Sequence, residues 1–123
     1  MAKIVDDSVL DGALNIIKNN VTAESVCSTQ PTTRTEAITT YMLATKTISG
    51  SDVTGPANGD TSGRKITMNQ QAAISITNSG TAQHVALTSG TVLLYVTTCT
   101  SQALTSGNTV TVPAWDIEIA DPS

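Results

Sequence analysis

From residue 64 onward the chain repeats one local pattern. "RKITMN", "AAISITN", "QHVALT", "TVLLYVTT" and "NTVTVPAWDIEIA" are short runs rich in Val, Ile and Thr, separated in part by "NSGT", "TSGT" and "TSGN". β-branched side chains suit a pleated surface, and each Ser-Gly pair offers a residue able to take the positive φ of a tight hairpin turn. Successive short strands joined in this way predict an antiparallel meander or Greek key closed into a β-sandwich or small barrel. "VLLYV" is apolar at consecutive positions and reads as a central strand covered on both faces. "LTSGTV" returns as "LTSGNTV", but one repeated turn is not a solenoid, which needs a unit recurring at least three times at a fixed period.

The N-terminal region has a different period. In "SVLDGALNIIK", from Ser8 to Lys18, residues Leu10, Ala13, Leu14 and Ile17 fall at the i, i+3, i+4, i+7 spacing of one helical face. Ser8 is the expected cap, with Asp6, Asp7 and Asp11 near the positive end of the helix dipole and Lys18 near the negative end. Asn19 and Asn20 are the expected stop. Alternation returns in "AESVCST" and "TYMLATKTI". Then "SGSDVTGPANGDTSG", Ser49 to Gly63, gathers four of the eight glycines and predicts a long surface loop. The fold class expected is therefore mainly β, an antiparallel sandwich or small barrel with one N-terminal amphipathic α-helix. Residues 1–123 form one β-rich domain in this reading, with 1–20 as arm and helix and 49–63 as the loop.

The last strand carries a further signal. Val110 and Val112 share one parity, whereas Trp115, Ile117 and Ile119 share the other, so strict alternation turns the apolar side over at Pro113-Ala114. Proline cannot donate a ladder hydrogen bond, and a bulge or a crossing between sheets is expected there.

Composition narrows the chemistry. Charged residues make up 13 % of the chain, against a usual figure of about 25 %, and Phe is absent. A net charge of −4 gives no clustered Lys/Arg footprint for nucleic acid. No apolar run approaches the roughly 20 residues that cross a bilayer, and "MAKIVDDSVL" turns acidic where an export signal would stay apolar, so synthesis in the cytoplasm is expected. Cys27 and Cys99 are too few for a disulfide scaffold and read as reduced, unreactive thiols. His84, the sole histidine, could meet Cys99 on a neighbouring strand, but no third group is evident to orient it. "NGDTSG" offers Asn58, Asp60 and Ser62 at alternate positions like the start of a calcium loop, yet position twelve is Asn69 rather than Glu. "GDTSGRK" lacks the spacing of a phosphate loop. Asn20-Val21-Thr22 spells a glycosylation acceptor that has no consequence without export. No catalytic, cofactor-binding or metal-binding residue is assigned, no cofactor is expected, and the chain reads as a non-enzyme.

The stretches "ALNIIKNN…VCSTQPTT", "YMLATKTI", "GPANGDTSGRKITMN" and "SGTAQHVALTSGTVLLYVTTCTSQALTSGNTVTVPAWDIEIADP" together resemble short structural proteins from the virion gene modules of tailed bacteriophages. The resemblance spans nearly the whole chain and is most specific in "LLYVTTCTSQALTSGNTV…PAWDIEI". It implies a virion component, most simply a capsid decoration or cement protein on the capsid exterior that binds the major capsid protein and reinforces the mature head. Copies of itself are a second expected partner, because sheet edges with few charges need covering. Direct nucleic acid and membrane are not expected partners. Met1–Asp7 or the Ser49–Gly63 loop is the expected capsid contact. The alternatives are a neck-, tail- or fibre-associated subunit and a carbohydrate-binding adhesion sandwich.

Overall fold

A computed structural model describes residues 3–122. The helix, α1, runs Asp7–Asn20, and nine strands follow: β1 (Ala23–Cys27), β2 (Met42–Thr47), β3 (Val53–Asn58), β4 (Arg64–Met68), β5 (Gln71–Ser75), β6 (Gly80–Thr88), β7 (Leu93–Leu104), β8 (Thr109–Val112) and β9 (Trp115–Ile119). All pairings are antiparallel. The strands form a sheet of order β2-β1-β6-β7, a second of order β3-β4-β9 and a two-stranded sheet of β5 and β8. The fold is thus mainly β, with a single N-terminal helix and sheets packed as a sandwich.

Two apolar cores account for that packing. Val26, Ala82 and Val85 of the first sheet meet Ile74 and Val112 of the β5-β8 pair. On the other side, Leu14 of α1 packs with Val53, Ile66, Met68 and Ile117 of the second sheet and with Leu87 of β6. Trp115 touches both cores. That explains a lone tryptophan near the C-terminus: it is the wedge where the two cores join. A smaller cluster of Cys27, Ala37 and Ala86 lies on the opposite face of the first sheet, beneath a single π turn at Glu36–Thr40.

The crossing expected at Pro113-Ala114 is present. Val112 pairs with Gln71 in the β5-β8 sheet, and Trp115 pairs with Met68 in the second sheet. Both sides of the parity change therefore reach an interior, Val112 in one core and Ile117 in the other.

Four expectations need correction. Ser49–Gly63 is not one loop: a 3-10 turn at Gly50–Asp52 leads directly into β3, and only residues 59–63 form the hairpin connection to β4. Gly55 and Pro56 lie inside a bulged strand at the sheet edge, which is where proline is tolerated in a ladder. Second, "VLLYV" begins in the turn at Val92, and its other four residues open β7, an end strand rather than a central one. The doubly covered strand is β1, where residues 24–27 are all buried. Third, α1 is capped by Asp6, whose carboxylate accepts from the Ser8 amide at 3.0 Å, and it continues through Asn19 and Asn20, while Ala13 faces solvent. Fourth, of the three Ser-Gly turns only the one at Gly107 uses positive φ, at 95°.

Candidate functional site

A groove lies between β7 and the β8–β9 junction. Two adjoining hollows of about 220 and 300 Å³ share Val85, Cys99, Thr100, Val112 and Pro113. Local register builds it. Ala82 pairs with Gln102 and His84 with Thr98, so Cys99, Thr100 and Ser101 all face Gln83 alone. A bulge of this kind bends its strand and re-aims side chains, here placing Cys99 in the groove wall. Because β7 and β8 each end a sheet, the groove opens between two unpaired strand edges.

The groups that sequence reasoning singled out for chemistry are placed as follows. His84 sits in the ladder between Cys27 of β1 and Thr98 of β7, with Cys99 the next residue along β7; Cys99 packs against the Val26–Val85 core, whereas Cys27 lies in the cluster on the opposite face of the sheet, so the three are neighbours in register without converging on one site. The His84 Nδ1 atom is buried with no hydrogen-bond partner, and nothing orients the ring as a general base would require. Burial pushes the Cys99 thiol up and raises Cys27 to about 11, with Cys99 as a lesser second cause for Cys27. Both sulfurs are thiols at neutral pH, the form that is a poor nucleophile and metal ligand. In "NGDTSG" the candidate calcium donors already hold cations: Asn58 Oδ1 accepts from Arg64 Nη1 at 2.7 Å, and Asp60 Oδ1 meets Lys65 Nζ at 2.7 Å. Among the described residues no group of three or more metal-ligating side chains converges.

Two features escaped the sequence reading. The first is the outward face of α1. Asp11 leans toward the protein and takes a two-pronged contact from Arg64, at 2.8 and 3.3 Å, while Lys18 Nζ donates to the Gly55 carbonyl at 2.6 Å. Val9 and Ile16 are left 61 % and 59 % exposed, with Gly12 and Ala13 between them. Those four residues also satisfy i, i+3, i+4, i+7, so a second periodic set was present in the same stretch. Ile4, 96 % exposed, adds apolar surface just before the helix.

The second feature is Glu24. It is 1 % exposed, on the inner face of β1 beside Val26. Trp115 Nε1 donates to its Oε1 at 2.9 Å, and its Oε2 has no partner. Burial raises its pKa above the ordinary glutamate value, the Trp115 hydrogen bond opposes the shift, and the Asp52 charge adds to it. The signal in the sequence was a carboxylate sharing parity with Val26 in an otherwise uncharged strand.

Comparison with protein-family models, with curated proteins and with solved structures returns no match to this chain.

Proposed function

We propose that this chain is a structural subunit of a tailed-bacteriophage virion, acting as a capsid decoration or cement protein on the exterior of the mature head. Its main partner in this proposal is the major capsid protein. The observation that carries it is the exposed apolar stripe on α1: Leu10 and Leu14 are buried and Asp11 and Lys18 are engaged with the neighbouring strands, while Val9, Gly12, Ala13 and Ile16 face out. A surface helix ordinarily presents its charge to water, and a contiguous apolar stripe in that place suits a face that is covered in use. The link to a virion rests on the resemblance carried by "LLYVTTCTSQALTSGNTV…PAWDIEI". Preferential binding to the assembled shell would stabilise it by linkage.

Copies of the same chain are the second proposed partner, through β7. Its 12 residues include no Asp, Glu, Lys, Arg or His, and no proline or glycine. Other end strands are blunted: β2 carries Lys46, β3 carries Pro56, β9 carries Asp116 and Glu118, β8 has four residues before Pro113, and β5 has five residues broken by a bulge. Charge, proline and brevity are the usual guards against edge pairing, and β7 has only its bulge.

Copy number tests the position in the particle. Quantified against the major capsid protein in purified virions, a cement subunit is present in on the order of hundreds of copies, and a neck component in about a dozen, by the symmetry of such assemblies. A count near a dozen moves the subunit to the neck or tail; absence from the particle removes the proposal.

A further inference from the structure

We propose that Glu24, buried against Trp115 at the joint between the two cores, is a proton-sensitive element of the fold: the native state is favoured when its carboxyl is neutral and disfavoured when it ionises, because the single Trp115 hydrogen bond offsets only part of the cost of a buried charge. The inference is independent of the virion reading and concerns the purified chain alone.

The geometry is that of a carboxyl with nowhere to place a charge. Glu24 is 1 % exposed, and one hydrogen bond, from Trp115 Nε1 at 2.9 Å, is its whole polar environment, since Oε2 is buried and unpartnered. An ionised carboxylate removed from water needs several donors or a cation, and without them the charged form is disfavoured. The surrounding elements supply neither. Opposite Glu24 on β6 lies Leu87, which is apolar. Opposite it on β2 lies Lys46, whose side chain is exposed and forms no ion pair with it. The 3-10 turn contributes Asp52, a like charge, which is engaged by the Ser49 amide at 3.0 Å and approached by Gln71 Nε2 of β5 at 3.4 Å. From β9, Trp115 is the sole donor, and its ring packs on Tyr95 of β7 with centroids 5.9 Å apart. Asp116, the next residue, faces Thr67 and Lys65 instead.

Trp115 is also where the mechanical consequence falls. It touches both cores and lines the groove beside β7. Ionisation of Glu24 therefore acts on the joint between the sheets and on the wall of the groove together.

Linkage fixes the sign. A carboxyl whose folded affinity for protons exceeds its unfolded one favours the native state fully below the unfolded value, about 4.3 for glutamate, and loses that contribution as pH rises through the folded value. The contribution of Glu24 to stability is therefore smaller at neutral pH than in mild acid, the reverse of the carboxylates held low by hydrogen bonds, such as Asp116.

As the only tryptophan, Trp115 is a built-in reporter. Its emission in the wild-type chain, followed between about pH 3 and 8, should titrate with a midpoint above the ordinary glutamate range. Asp116 is held below the ordinary carboxylate range, chiefly by the Thr67 hydroxyl and also by Lys65, so its titration lies on the other side. Glu24→Gln should abolish the step and raise the melting temperature at neutral pH. Asp52→Asn should move the midpoint down, because it removes the like charge while keeping an oxygen for Ser49; a merely structural role for Glu24 predicts no such movement. The carboxyl carbon resonance of Glu24, in isotope-labelled wild-type protein, gives the same midpoint without mutation. A midpoint at or below the ordinary range, a step that survives in Glu24→Gln, or an Asp52→Asn midpoint equal to wild type overturns the proposal.

Discussion

At the scale of single residues, backbone demands separate glycines that look alike in sequence. Gly63 has a φ of +70°, and a Cβ placed there would run into the carbonyl of Ile119, which belongs to the strand paired with β4. Gly107 has a φ of +95°, but a Cβ there meets no atom within 4 Å. Gly63→Ala therefore suffers both strain and collision and should cost about 2–4 kcal/mol, whereas Gly107→Ala suffers strain alone and should cost about 1–2 kcal/mol. Denaturant midpoints of the two variants check the order; equal losses would mean that the close approach at Gly63 is relieved by movement of Ile119. Neither difference was legible in sequence, because Thr-Ser precedes Gly63, Gly90 and Gly107 alike, and the deciding contact comes from a strand more than fifty residues away.

Elements were more legible where they obey one period. The helix, the strands after residue 64 and the crossing at Pro113 all follow from spacing, since each presents one apolar face to one core. Failure came where a polar residue sits on a covered face or an apolar run sits on an open one. β1 carries Glu24 and so disguised a strand buried on both sides, while β7 carries all but the first residue of "VLLYV" and so resembled an interior strand although it ends its sheet. β3 was hidden by Gly55, Pro56 and Gly59, whose punctuation reads as loop unless the pairing partner β4 is known. The groove was not legible at all, because it depends on the register of Cys99–Ser101 against Gln83. The exposed edge of β7 makes its own prediction. Purified chain should sediment as a monomer at low concentration and shift toward a dimer as concentration rises, with β7 amides exchanging more slowly in parallel. Thr98→Lys places a charge on that edge at an exposed position and should keep the chain monomeric without lowering its melting temperature. A wild-type monomer at every concentration, or a dimer that persists in Thr98→Lys, would show that β7 is not a pairing edge.

For the whole molecule, the recurring property is where charge has been put. Arg64 holds Asp11 and Asn58, and Lys65 holds Asp60 and Asp116. Basic groups on β4 are thereby spent tying it to α1, to the 59–63 turn and to its neighbour β9, and the outward face of α1 and the edge of β7 are left uncharged. No helix is long and apolar enough to cross a membrane among the described residues. The earlier expectation for the capsid contact is correspondingly revised: Met1 and Ala2 lie outside the described residues, and the Ser49–Gly63 segment is largely strand and turn. The α1 stripe, with Ile4 beside it, is the better-motivated contact. Occupancy of purified protein on expanded heads that lack it, wild type against Ile16→Glu, tests this most directly. Ile16 is exposed, so its replacement should leave the melting temperature within a degree or two, as expected for a surface change of about 0.5 kcal/mol or less, while head occupancy falls at least roughly tenfold. Equal occupancy by Ile16→Glu and wild type, or no binding of the wild-type chain to heads, would contradict the account.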